Sequence, residues 1–161
     1  MGQYRLGLPD PEGDGDMIEF GMSHDLGEII ARAIWIPYDQ THDNCLGVFK
    51  NGRPQGGIVF NNYNYTNIDV HWGSVEAKGH WLTQRVLWAI ADYCFNQLGV
   101  QRITAYEKSC DTQLIALVEK IGFKLEATQF GYYPDGDRLC YVMRKDTCPW
   151  LRYGERYGRR A

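Results

Sequence analysis

Residues 67–98 read NIDVHWGSV, EAKGHW, LTQRVLWAIADYCFNQL: an alternating strand, a short loop and an apolar helix in succession. Strand side chains alternate, so Ile68, Val70 and Trp72 fall on one side and Asp69 and His71 on the other. The loop carries Lys78, Gly79 and His80 to the start of the helix. A helix start presents unpaired backbone N–H groups and the positive end of a dipole. Strand, turn and helix N-terminus together predict an anion cradle.

Working outward toward the C-terminus, Gly99 stands where a helix commonly ends, and RITAYEKS follows as a strand. A strand, helix, strand unit predicts parallel pairing of that strand with Ile68–Val75. DTQLIALVEKIGF reads as a helix capped by Asp111, with Leu114, Leu117, Val118 and Ile121 on its buried side. KLEATQFGYY and RLCYVMRK form a closing hairpin around Pro134-Asp135-Gly136-Asp137. Toward the N-terminus, Asn51-Gly52 between two apolar runs predicts a hairpin. Before it, MIEFGMS alternates as a strand, and Leu26, Ile29, Ile30, Ala33 and Ile34 recur at helical spacing behind Ser23 as cap. The predicted order is β, α, β, β, β, α, β, α, β, β. Residues 1–16 read as an irregular lead, whose DPEGDGD has the oxygens of a calcium loop without its closing glutamate and is better read as a solvated turn.

A length of 161 residues and a net charge of −3 suit one soluble domain with no global basic field for nucleic acid. Five cysteines without a C-x-x-C spacing suggest neither a disulfide framework nor a metal site, and Cys94 and Cys140 read as core thiols. No window reaches eighteen apolar residues and no basic-then-apolar leader opens the chain. The expectation is a cytoplasmic protein in a reducing compartment, with no membrane partner. Positive charge gathers at the end instead, at Arg152, Arg156, Arg159 and Arg160.

LGVQRITAY followed by LIALVEKIGFKLEA resembles the helix end, fifth strand, fourth helix and Gly-Phe turn of the GNAT superfamily of acyl-CoA-dependent N-acyltransferases. PDGDRLCYVM, CPWL, WLT and FNQLGV are most similar to small phage-encoded GNAT-like proteins, which would place the chain in a host cytoplasm. The match runs over about residues 45–151. It implies a single α/β (α+β) domain over 1–151, followed by a basic Arg/Tyr tail over 152–161. The implied fold is a GNAT-like mixed, mostly antiparallel twisted sheet with helices on both faces, splayed between the fourth and fifth strands to admit an acyl-CoA.

In that superfamily a glycine-rich loop holds the CoA pyrophosphate by backbone N–H groups. The corresponding residues are Lys78, Gly79, His80, Trp81, Leu82 and Thr83, with Trp81 and Thr83 standing where small residues are usual. The resemblance further implies that backbone at Gly73, Ser74 and Val75 pairs with pantetheine, and that Asp111 occupies the place of a common cofactor-side Asn. The usual tyrosine acid is replaced by Val118, leaving Tyr106 and Cys110 as substitutes.

The implied activity is N-acyltransfer, most simply N-acetyltransfer, from acetyl-CoA or a related acyl-CoA to a primary amine, with no metal. Transfer needs a deprotonated amine, a stabilised oxyanion and a leaving thiolate. His71, Asp69 and Glu76 are the candidate bases. Set against this, His71 also reads as a half-buried sheet residue bonded to a neighbour, and Glu76 as a solvent-facing side chain. Two other functions suit the same residues: a catalytically inactive GNAT-fold binding protein that engages a host protein, or a nucleic-acid-modifying transferase. In the latter, Tyr63, Tyr65 and the tail would hold an unpaired base. The closing hairpin could also pair across a homodimer.

Overall fold

The computed structural model describes residues 8–9, 17–75 and 80–152. The strands are β1 (Leu8–Pro9), β2 (Met17–Met22), β3 (Asn44–Lys50), β4 (Arg53–Asn61), β5 (Asn67–Ser74), β6 (Arg102–Lys108), β7 (Lys124–Tyr133) and β8 (Gly136–Arg144). The helices are α1 (His24–Ala33), α2 (Gln84–Asp92) and α3 (Thr112–Lys120). Apart from the two-residue β1, this is the predicted order. Two compact units share these elements: one takes the chain to Asn61 with His71–Val86, the other takes Asn62–Val70 with the chain from Leu87 onward. β5 and α2 run from one into the other.

In the first unit β1, β2, β3, β4 and the end of β5 are neighbours in that order, with antiparallel pairing from β1 through β4. Asn51 and Gly52 have φ of 50° and 76°, the left-handed pair that a two-residue hairpin requires. Ser23 caps α1 as expected, its hydroxyl accepting from Leu26 N at 3.2 Å. A row of glycines decides how closely that helix lies on the sheet. Gly21, Gly47 and Gly57 are register partners on adjacent strands. A Cβ on Gly47 would meet Leu26 at 2.7 Å, and Cβ atoms on Gly57 and Gly73 would meet Ile30 at 2.9 and 2.3 Å. α1 can therefore bury Leu26 and Ile30 directly against backbone. The other face of these strands is covered by Trp81, which lies over Gly56, and by Arg85 of α2, which lies 5.5 Å from the Phe20 ring centroid. Gly73→Ala is expected to cost about 1–3 kcal/mol by overpacking, read as a lowered urea midpoint. Ile30→Leu in the same chain, which removes the offending branch methyl, should recover part of the loss.

In the second unit the start of β5 pairs parallel with β6, from Asn67↔Arg102 to Val70↔Ala105. β8 joins β6 antiparallel and β7 forms the edge. The fold is thus mixed α/β with a mostly antiparallel, open sheet. The core of this unit holds Cys94, Phe95, Val100, Ile103, Ala105, Val118, Phe123 and Tyr141.

Three sequence expectations need correction. The helix expected to reach Leu98 stops as an α-helix at Asp92 and continues as a π turn over Tyr93–Gln97, in which the carbonyl of Phe95 accepts from Lys145 Nζ at 2.7 Å. On α3 the inward stripe is narrower than its periodicity suggests. Val118 and Ile121 are buried, Leu114 is half-buried, and Leu117 is 38% exposed because it lies about 100° around the helix from Val118. Cys140 is half-buried rather than core, because it pairs with Tyr106 on a polar face of the sheet. Cys94 is core as expected.

None of the described helices is long and apolar enough to cross a membrane. The calcium-like lead at 10–16 and the tail from residue 153 onward lie outside the described residues.

Candidate active site

The loop after β5 is described on both sides of a gap: Glu76, Lys78 and Gly79 lie outside the described residues, and the chain resumes at the exposed His80. Trp81 then turns inward. Its indole is 6% exposed, its Nε1 donates to Ser74 Oγ at 2.8 Å, and it lies so close over Gly56 that a Cβ there would sit 2.5 Å from it. A side chain that looked out of place in a phosphate loop is therefore part of the packing of the first unit. Gly56, a residue with no sequence signal of its own, makes the space for it.

Thr83 also has a local role. α2 begins at Gln84, and Thr83 Oγ1 accepts from Val86 N at 3.3 Å, which makes Thr83 the N-cap. The hydroxyl satisfies one first-turn donor. Leu82 is half-buried between the two.

On β5, Val75 N donates to Gln55 O at 2.9 Å. Backbone groups of alternate residues point to the same edge, so Gly73 and Val75 face β4, and Trp72 and Ser74 direct theirs to the opposite edge. Among Gly73, Ser74 and Val75, Ser74 is therefore the residue whose backbone is turned away from β4.

His71 is half-buried, with Nε2 3.0 Å from Asn61 Oδ1. An amide oxygen accepts only, so in this contact Nε2 carries the hydrogen.

In the second unit Asp69 is 6% exposed and accepts twice, from Asn62 Nδ2 at 3.0 Å and Asn67 Nδ2 at 2.9 Å. The chain of contacts continues from Thr104 Oγ1 to Asn67 Oδ1 at 2.5 Å and from Arg102 to Thr104 Oγ1 at 3.5 Å. Arg102 closes it with two bonds to Glu126, at 3.1 and 2.6 Å. Each oxygen of the buried carboxylate thus accepts a hydrogen bond, as its position requires. Nothing in the sequence tied Asn62 or Asn67 to Asp69: the first stands in a polar segment and the second opens the strand.

Tyr106, on the same face as Thr104, is held above the ordinary phenol range, first by burial and then by the charge of Asp69. It is a proton donor at neutral pH. Asp111 caps α3, accepting from Leu114 N at 3.1 Å. Val118 is fully buried and offers no hydroxyl. Cys110 is exposed, and no group of metal-ligating side chains occurs among the described residues.

No protein-family model and no curated protein matches the sequence. Solved structures do. An acetyltransferase of the GNAT family from Bacillus anthracis is 19% identical with a TM-score of 0.54, over 65% of this chain and 67% of that one. The Campylobacter jejuni N-acetyltransferase PseH, solved with acetyl coenzyme A, is 20% identical with a TM-score of 0.51, over 66% and 70%. A mutant of the spermidine N-acetyltransferase from Vibrio cholerae is 15% identical with a TM-score of 0.60, over 81% and 77%. The chain spans 62% of the length of a probable acetyltransferase and 63% of that of a Vibrio fischeri ribosomal-protein-S5-alanine acetyltransferase. Strand order, helix placement and these likenesses agree: the chain has the fold of the GNAT acetyltransferases.

Proposed function

We propose that the protein is an acyl-CoA-dependent N-acyltransferase, with acetyl-CoA or a related thioester as donor and a primary amine as acceptor. The observation that carries this reading is the parallel β5–β6 pair followed through Thr83 into the capped start of α2, on a fold shared with N-acetyltransferases. The donor supplies the acyl group as a thioester. The residues present fit such a donor: Ser74 turns its backbone groups away from β4 to pair with the pantetheine amides, with Gly73 and Val75 holding the strand against β4. In this reading the backbone of Lys78, Gly79, His80, Trp81, Leu82 and Thr83, at the start of α2, holds the pyrophosphate. Asp111 contributes by capping α3.

In this reading His71 takes the amine proton, with Glu76 as the other candidate base, while Asp69 orients the acceptor side from its amide-bound position. Tyr106 supplies the proton to the leaving thiolate in place of the missing tyrosine. The test is binding. Acetyl-CoA at about a hundred times its Kd would stabilise the fold by about 2.7 kcal/mol, a rise in Tm of about 5–11 °C. Freshly purified protein examined by native mass spectrometry is expected to carry a CoA species. A folded protein with no thermal shift and no calorimetric heat with acyl-CoA rejects the reading.

A second reading rests on one observation, the fully buried Val118 where a phenol is usual. It is a GNAT-shaped binding protein without chemistry. Acyl-CoA binding with no amine acylated by a panel that includes polyamines and protein N-termini would favour it.

A further inference from the structure

Arg138, in β8, is fixed in place more firmly than a half-buried surface arginine needs to be. Its Nε donates to Gln129 Oε1 at 2.6 Å. Its guanidinium carbon lies 4.2 Å from the ring centroid of Tyr106 and 4.0 Å from that of Tyr132. Cation–π contacts this short hold the planar group in one orientation. Neighbouring cations on this face are ion-paired: Lys108 with Asp135 at 2.6 Å and Arg102 with Glu126 at 2.6 Å. Asp137, next in the chain, spends a carboxylate oxygen on Gly131 N at 2.8 Å. Among the described residues Arg138 has no ion pair, and its two Nη groups have no hydrogen-bond partner.

A cation whose stem and plane are already ordered loses little further freedom on meeting a ligand. A guanidinium presents two parallel N–H bonds that match a carboxylate or a phosphate edge. Tyr132 is 53% exposed, so the arrangement opens to solvent. We propose that Arg138, clamped by Gln129, Tyr106 and Tyr132, is a recognition site for the oxyanion of a small ligand, a carboxylate or a phosphate, bound in the bidentate manner. It shares Tyr106 with the acyl-transfer reading but does not rest on it, because it concerns binding of an anion and its test uses no donor.

The test follows the side-chain Nε–Hε NMR signal of Arg138 in the full chain, assigned by its loss in Arg138→Lys. Inorganic phosphate, acetate and chloride are titrated separately at constant ionic strength. A saturable shift in the millimolar range is expected with phosphate, acetate or both, and which of them saturates identifies the oxyanion. Binding read from the Tyr132 and Tyr133 ring signals should weaken at least about tenfold in Arg138→Lys, which keeps the charge and loses the fork. Tyr132→Leu, which keeps the guanidinium and releases one ring, should weaken it several-fold, and it serves alone if the lysine variant does not fold. A shift that stays linear and is matched by chloride overturns the proposal, as does wild-type affinity in either folded variant.

Discussion

Trp81→Ala is expected to lower the unfolding free energy by about 3–5 kcal/mol, the range for deleting a large buried aromatic side chain. The indole is enclosed, sits directly over Gly56 and donates to Ser74 Oγ at 2.8 Å. Trp81→Phe should retain most of the packing and lose only the bond to Ser74, at about 1 kcal/mol. Denaturant midpoints of the two variants and of Ser74→Ala separate these contributions. A Trp81→Ala chain within 1 kcal/mol of wild type, against the ~3 kcal/mol floor for such deletions, would mean that the indole does not pack on the sheet. Gly56→Ala reports on the same contact from the other side. Its methyl must displace the indole, so the intrinsic fluorescence of Trp81 is expected to move to longer wavelength as the ring gains solvent.

The second large effect is on the proton transfer of the proposed reaction. His71→Gln is expected to lower kcat by about 10²–10⁴-fold, the usual contribution of a positioned base, with the KM for acyl-CoA nearly unchanged. Asp69→Asn should behave differently. Asn62 and Asn67 each donate to a different carboxylate oxygen, so the new amide keeps one acceptor and sets its NH₂ against the other amide donor. That leaves a buried donor unpaired at about 1–3 kcal/mol of stability, so its loss of activity should come with a lowered unfolding midpoint. Equal kcat values for wild type and a folded His71→Gln would remove His71 from the base role. A loss confined to Asp69→Asn that persisted under conditions where the variant is fully folded would transfer the role to Asp69.

The element order was legible in the residues because periodicity and punctuation act locally. Ser23 caps α1, Asn51-Gly52 turns the hairpin and Asp111 caps α3, each through contacts at most three residues away. The parallel β5–β6 pair was also legible, since a strand, helix, strand unit has few other ways to close. The site was legible only as a list of residues. Trp81 and Thr83 read as departures from a glycine loop, and their actual roles depend on Gly56 and Ser74 in one case and on the first turn of α2 in the other. Sequence periodicity likewise gave no sign of the π turn, in which Lys145, fifty residues away, meets the carbonyl of Phe95.

By itself, then, the amino-acid order determined the strands, helices and caps, because those are set by alternation, helical spacing and side-chain oxygens beside the backbone they serve. Only the tertiary structure decided what the central stretch became. Burial turned Trp81 inward over a glycine, Asn62 from a polar loop and Asn67 from β5 closed around Asp69, and two tyrosines with a glutamine oriented Arg138. Each of these joins residues whose separation along the chain carries no periodic signal, and packing and hydrogen-bond satisfaction in three dimensions bring them together.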